Sequence, residues 1–157
     1  MRCRARYFSF NSSISELDDV MKLTKRNRAN LRKHAKYLYA LDDESKFDME
    51  YVALDANGRL IDRICDVRKC GSVMCSIGYA MLGFPRIAAK HDDWEEFCQD
   101  IFGVRDRGDR RAWRFLFSED WVGTDNTITG AADRIIYFLK HGVPEDRWNP
   151  EVYRSAS

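Results

Sequence analysis

Residues 70–85 read Cys-Gly-Ser-Val-Met-Cys-Ser-Ile-Gly-Tyr-Ala-Met-Leu-Gly-Phe-Pro, and no side chain in this stretch carries a charge. Ser72 is a good N-cap, and Gly83 shortly before a proline is typical of a helix end. The apolar side chains between them cover every side of a helical wheel, which indicates a helix that is buried all round. Gly78 costs helix stability in water, so its presence predicts that another element packs closely against it. We therefore expect a central helix over about residues 72–82, with other helices around it.

The composition indicates one ordinary domain. The chain has 157 residues, enough to build a hydrophobic core, and we expect a single domain over residues 1–157. Its 26 basic and 25 acidic residues leave no global charge argument for a nucleic acid or an acidic partner. Residues 1–12 alternate charged and aromatic side chains and are expected to form an extended arm or a short strand. Residues 148–157 are expected to be a frayed tail.

The N-terminus and the cysteines bear on the compartment. The chain starts Met-Arg-Cys-Arg-Ala-Arg and lacks the apolar run of a signal peptide. Its five cysteines, an odd number, are typical of reduced thiols in a cytosol. No apolar stretch is long enough to cross a bilayer. The sequence therefore predicts a cytoplasmic protein with free cysteines that does not enter a membrane.

Local signals predict the remaining elements. Asn-Gly between two apolar-rich runs is typical of a hairpin, which we expect at about residues 51–64. Helices are predicted from caps and apolar periodicity over Thr24 to about Leu41, Asp92 or Asp93 to Phe102, Arg110 to Ser118, and Thr127 to Gly142. The fold class is therefore predicted to be mainly α, a compact helical domain around a buried central helix, with a minor β-hairpin.

The helix after Thr24 carries the strongest candidate binding surface. No acidic residue lies between Asp19 and Asp42, while the face opposite the leucines is rich in cations. Such a face is either a binding surface for an anionic partner or a solvated helix face that is paired with acidic neighbours. Acidic runs on both sides of the helix favour the solvated face over nucleic-acid binding. The candidate binding residues are Arg26, Arg28, Arg32, Lys33 and Lys36.

A thiol enzyme is the alternative interpretation. Cys70 precedes a predicted helix N-terminus, where the helix dipole lowers a thiol pKa and backbone N–H groups can stabilise an oxyanion, with Ser72 beside it. A nucleophile of this kind needs a base, and the only histidines are His34, His91 and His141. The cysteines lack the tight pairing of zinc sites, so we expect no metal and no cofactor.

The order of several motifs resembles a family of small, uncharacterised proteins of bacteria and their phages. The matching pieces include Phe47-Asp-Met49, Cys70-Gly-Ser-Val-Met-Cys-Ser-Ile-Gly-Tyr-Ala80, Asp125-Asn-Thr127 and Gly130-Ala-Ala-Asp-Arg-Ile135. Relatives typically have threonine at position 72 and often histidine or tryptophan at position 79, where this chain has Ser72 and Tyr79. That departure argues against an obligatory histidine in this motif.

The resemblance implies a gene context and no activity. We expect a non-enzymatic accessory protein of phage or mobile-element type that binds a host macromolecule, with interference with a host defence system as one use. A host protein is favoured as the partner over nucleic acid. The alternative is a thiol-dependent hydrolase or transferase that uses Cys70 and Ser72.

Overall fold

A computed structural model describes residues 23–69, 73–121, 123 and 125–145 of the chain. The described part is mainly helical, with a small two-stranded antiparallel sheet, as predicted. The arm predicted at residues 1–12 and the tail predicted at residues 148–157 lie outside these residues. The elements are α1 (Lys25–Tyr39), β1 (Ala53–Leu54), β2 (Val73–Met74), α2 (Ser76–Gly83), α3 (Pro85–Ala88), α4 (Trp94–Phe102), α5 (Arg110–Phe117) and α6 (Ile128–His141), with short 3-10 helices at Glu44–Lys46 and Ile64–Lys69.

Three of the predicted helix N-caps are confirmed. The side chains of Thr24, Asp93 and Thr127 each accept hydrogen bonds from backbone N–H groups of the first turn that follows. Gly103 ends α4 in a left-handed conformation, with φ of 73°, which glycine adopts without steric cost. The first helix ends at Tyr39, two residues before its expected end. Short-range capping chemistry therefore sets the starts of α1, α4 and α6 and the end of α4.

The helix predicted at residues 72–82 begins later than expected. Val73–Met74 forms β2 and pairs with β1 in the register Ala53 to Met74 and Leu54 to Val73, so the chain is extended there. Helix α2 begins at Ser76, and Cys75 is its N-cap residue instead of Ser72. From Ser76 to Met81 the helix is buried on all sides, and only Leu82 near its end is exposed. The burial was predicted correctly and the start was wrong.

A small β-hairpin is present as predicted, but its second strand lies outside the predicted range of about residues 51–64. Asp55 accepts hydrogen bonds from the backbone N–H groups of Asn57 and Arg59, both at 2.8 Å, and Gly58 has φ of 72°. The returning segment makes a single antiparallel bridge to β1, between Leu54 and Leu60. The second strand of the sheet is therefore β2, which follows about twenty residues after β1 in the chain.

Helix α1 packs against α2, α4 and α6, so it touches most of the helical core. Arg28 Nη1 donates to the Leu139 carbonyl at 3.3 Å, and the Tyr39 hydroxyl donates to Asp133 at 2.5 Å. These two contacts show that α1 and α6 run antiparallel. The inner face of α1 contributes Leu31, Ala35 and Leu38 to the hydrophobic core. This packing holds the basic face of α1 towards solvent.

Candidate functional site

The five predicted binding residues all lie on α1 and are all exposed. The first turn of this helix contains no acidic residue and starts with Lys25 and Arg26. Cations at a helix N-terminus interact unfavourably with the helix dipole, so this composition costs α1 some stability. The capping box between Thr24 and Asn27 offsets part of that cost by satisfying backbone donors. The cations in the first turn of α1 therefore need another explanation than the stability of α1, whereas Lys36 in the last turn is favoured by the helix dipole.

Part of that explanation is that three helices end against α1. Arg28 donates to the Leu139 carbonyl in the last turn of α6. Lys33 Nζ donates to the Gly83 carbonyl at the end of α2 at 3.2 Å and lies 4.5 Å from the centre of the Phe84 ring. Carbonyls in the last turn of a helix lack intrahelical partners and carry negative partial charge, so cations stabilise them. Arg28 and Lys33 thus have structural roles.

The end of α4 is bound to α1 by two amides. Asn30 Nδ2 donates to the Ile101 carbonyl at 2.9 Å, and Asn27 Nδ2 donates to the same oxygen at 3.3 Å. Asn27 is buried, and nothing in the sequence pattern of α1 predicts that. The two asparagines fix the position of α4 along α1, because both bonds hold only in one register.

Arg26 takes part in a partly exposed charge cluster. Its Nη2 lies 3.0 Å from Asp100 Oδ1, and His91 Nε2 lies 3.0 Å from Asp100 Oδ2. The hydrogen bond from His91, followed by the charge of Arg26, lowers the pKa of the Asp100 carboxyl. Because the Arg26 side chain is 59% exposed, this ion pair contributes little to stability. Arg26 nevertheless already has an ion-pair partner within the fold, Asp100.

Four further exposed positions form what we call the α1 ridge, which consists of Lys25, Ala29, Arg32 and Lys36. The three ridge cations make no hydrogen bond or ion pair with any other residue in the described part of the chain. Eleven residues separate the first ridge cation from the last, which corresponds to about 16 Å along the helix. Two of the five candidate binding residues, Arg32 and Lys36, thus remain available to a partner, together with Lys25 on the same basic helix.

The acidic run that follows α1 is used within the fold. Asp43 forms an ion pair with Lys46 at 3.3 Å. Both carboxylate oxygens of Glu44 lie 3.2 Å from the backbone nitrogen of Ile128, at the N-terminus of α6. A carboxylate at that position is stabilised by the helix dipole. The solvated-face interpretation assumed that neighbouring acids compensate the basic helix, and these two have other partners.

The inner face of α1 carries a buried histidine, His34, that bonds to a serine of α2. The sequence predicts that His34 lies on the basic helix but does not predict its burial. His34 is 0% exposed, and its Nε2 lies 3.0 Å from the Ser76 hydroxyl, which is also buried. Burial lowers the pKa of His34 to about 3, so the imidazole is neutral at physiological pH. The signal was its spacing, because His34 falls three residues after Leu31 and four before Leu38.

The alternative site was predicted at Cys70 and Ser72, and both residues lie outside the described ranges. The thiol that the structure places at the N-terminus of α2 is that of Cys75, which is 0% exposed and therefore out of reach of a substrate. Within the described part of the chain, no three His, Cys, Asp or Glu side chains are grouped as metal ligands. The thiol-enzyme interpretation therefore stays a prediction.

Arg134 is a further buried polar residue whose role the sequence does not predict. Its side chain is 0% exposed, and its guanidinium donates to three backbone carbonyls and to the Asn126 side chain at 2.9–3.3 Å. Burial lowers its pKa to about 10, against the opposing influence of Asp125 and Cys75. Arg134 ties the end of α5 to the start of α6 and reaches no surface, so its role is structural.

The chain was compared with protein-family models, curated proteins and solved structures. No protein-family model, curated protein or solved structure matches the chain. The resemblance to small bacterial and phage proteins therefore stays a prediction. Among the described residues, no helix is both long enough and apolar enough to cross a membrane.

Proposed function

We propose that this chain is a non-enzymatic accessory protein of phage or mobile-element type that binds a host protein through the α1 ridge. The observation that carries the proposal is the division of the cations on α1. Arg26, Arg28 and Lys33 have partners within the fold, whereas the ridge cations have none among the described residues. No contact within the described fold explains the ridge cations, and Lys25 in the first turn also opposes the helix dipole, as expected of a binding surface.

A protein partner is favoured over nucleic acid because the ridge holds few cations. Proteins that bind duplex DNA through its backbone commonly contact about 6–10 phosphates, and each contact adds to the salt dependence of binding. Three available cations predict a salt slope of only about −3, which corresponds to weak binding. A compact acidic protein surface needs fewer charge pairs, because close packing around them supplies most of the affinity. The phage context rests on the motif resemblance, and interference with a host defence system is one use consistent with it.

The test compares two double charge reversals of equal size. Arg32→Glu with Lys36→Glu reverses the ridge, and Arg86→Glu with Lys90→Glu reverses two exposed cations at the same spacing in the region of α3. Neither pair bonds to another described side chain, so both variants are expected to unfold within about 0.5 kcal/mol of the parent. Each protein is used to capture partners from a bacterial lysate, which are then identified by mass spectrometry.

We expect that the parent and the Arg86→Glu, Lys90→Glu variant capture a common set of proteins. The Arg32→Glu, Lys36→Glu variant should fail to capture that set. Association should slow as salt is raised, because charge complementarity acts mainly on the association rate. An identical set of captured proteins for all three forms would contradict the proposal. Duplex DNA binding with a salt slope steeper than about −6 would replace the protein partner by nucleic acid.

A further inference from the structure

We propose that the occupant of the α1 ridge is an acidic amphipathic helix of the partner, which lies along α1 and beside α6. This inference rests on the proposed function and specifies the element of the partner that is recognised. It follows from the spacing of the ridge residues and from what flanks them on α6.

The ridge is straight. Its members are separated by four, three and four residues, which is the spacing of a coiled-coil seam. Residues at this spacing lie nearly parallel to the helix axis, so a second helix can follow them over their whole length. Acidic side chains three and four residues apart on that helix would face the ridge cations in turn. An irregular loop would meet one or two of them.

Ala29 is the small member of the ridge, and it is exposed. It lies four residues after Lys25 and three before Arg32, so it leaves a gap in the row of long side chains. Small residues between two helices allow their backbones to approach closely. The gap therefore suits the side chain of a partner helix that packs between the two cations.

The α6 side of the ridge supplies apolar surface. Tyr39 is 47% exposed, the larger exposed fraction of the two large hydrophobic residues that are exposed in the described chain. Ile136 is half-buried and lies on α6 between Asp133 and Leu139, the two α6 residues that bond to α1. Apolar surface beside a row of cations matches a helix whose acidic and apolar faces are adjacent. Two antiparallel helices also offer the groove in which a third helix packs in a bundle.

The experiment uses a synthetic helical peptide as the probe. Its glutamates follow the four-three-four spacing and its leucines occupy the adjacent face, and a scrambled peptide of the same composition is the control. A twelve-base-pair DNA duplex is the third probe. Binding to the full chain is measured by fluorescence anisotropy at low salt, and the contacted residues are identified from amide chemical shifts in a ¹H–¹⁵N spectrum.

We expect the patterned peptide to bind at least about tenfold more tightly than its scramble, with shifts at Ala29, Arg32, Lys36 and Ile136. Arg32→Glu with Lys36→Glu should reduce its affinity by about tenfold or more, and a peptide with lysines in place of the glutamates should bind that variant better than the parent. Ile136→Ala, checked for folding by its melting temperature, should weaken the leucine-containing peptide by several-fold.

Two results separate the failure of this inference from the failure of the proposed function. Equal affinity for the patterned and scrambled peptides, or no binding of either, would overturn the helical occupant while ridge-dependent capture of lysate proteins still supports a protein partner. Tighter binding of the DNA duplex than of either peptide would overturn both.

Discussion

Replacing Gly78 by alanine should destabilise the protein, although alanine is the better helix former. A Cβ atom at this position would lie 2.3 Å from the Val52 carbonyl oxygen and 2.8 Å from the Met74 Cβ. Ordinary van der Waals contact begins about 1 Å further away. The Val52 carbonyl cannot move easily, because the backbone nitrogen of Cys75 donates to Tyr51 O at 3.0 Å and to Val52 O at 3.3 Å. The segment before β1 is thus fixed against the N-terminus of α2.

The expected magnitude follows from two opposing effects. Alanine in place of glycine inside a helix adds up to about 1 kcal/mol of stability. Overpacking a buried contact costs about 1–3 kcal/mol or more, because the neighbouring elements have to separate. Here the nearest atom is a backbone oxygen, so no side-chain rotation relieves the overlap. We expect Gly78→Ala to lower the free energy of unfolding by about 1–2 kcal/mol, and Gly78→Leu to lower it further.

The matched control is Gly83→Ala, five residues later in the same helix. Its Cβ would lie 3.8 Å from the Tyr37 ring, which is ordinary contact. This variant should therefore keep the parental stability or gain up to about 1 kcal/mol. Both variants and the parent are unfolded in urea, and the unfolding is followed by far-UV circular dichroism. A Gly78→Ala variant as stable as Gly83→Ala would refute the reasoning that a backbone approach requires glycine here.

Three further predictions concern side chains in or on α1 and α6. The His34 pKa of about 3 lies below the ordinary histidine pKa of 6.5, so the unfolded chain binds an extra proton between these values. Stability should therefore fall as the pH falls below 6.5, by up to about 1.4 kcal/mol per pH unit. His34→Gln, which can still bond to Ser76, should remove that part of the slope in urea melts at pH 5 and pH 7. Arg134→Lys should cost about 2–5 kcal/mol in thermal or urea unfolding, because an ammonium cannot reach four acceptors and leaves carbonyls unpaired. Lys33→Glu should destabilise by about 1 kcal/mol more than Arg32→Glu, since only the former sets a carboxylate against a helix end, and equal melting temperatures would contradict this role.

Most helix boundaries could be predicted from the sequence because their determinants are local. Thr24, Asp93 and Thr127 each bond within their own helix, and Gly103 ends α4 through its own backbone conformation. The start of α2 could not be predicted in this way. Residues 73–74 are extended because they pair with β1, which lies about twenty residues earlier in the chain. The local N-cap preference of Ser72 therefore does not decide where α2 begins, because the pairing of β1 with β2 keeps residues 73–74 extended.

The polar residues of α1 show the same limit. The roles of Asn27 and Asn30 could not be predicted, because their acceptor, the Ile101 carbonyl, lies 74 and 71 residues away in sequence. His34 bonds to Ser76 across 42 residues. The leucine stripe did predict which face turns inward, and these three polar residues border it. Sequence periodicity therefore located the buried face correctly but could not supply the partners that make buried polar groups acceptable.

The tertiary contacts of α1 also change how its basic composition is interpreted. A run of cations with no acid is a familiar indication of an anionic ligand, yet Arg28 and Lys33 bind helix C-termini and would be needed in a protein with no partner at all. Composition alone therefore overstates the binding surface. What remains is the ridge, whose Lys25 lies in the first turn of α1, where an acidic residue would stabilise the helix instead. A surface that served only solubility could carry an acid at position 25 and gain stability, so the lysine there favours a role in binding.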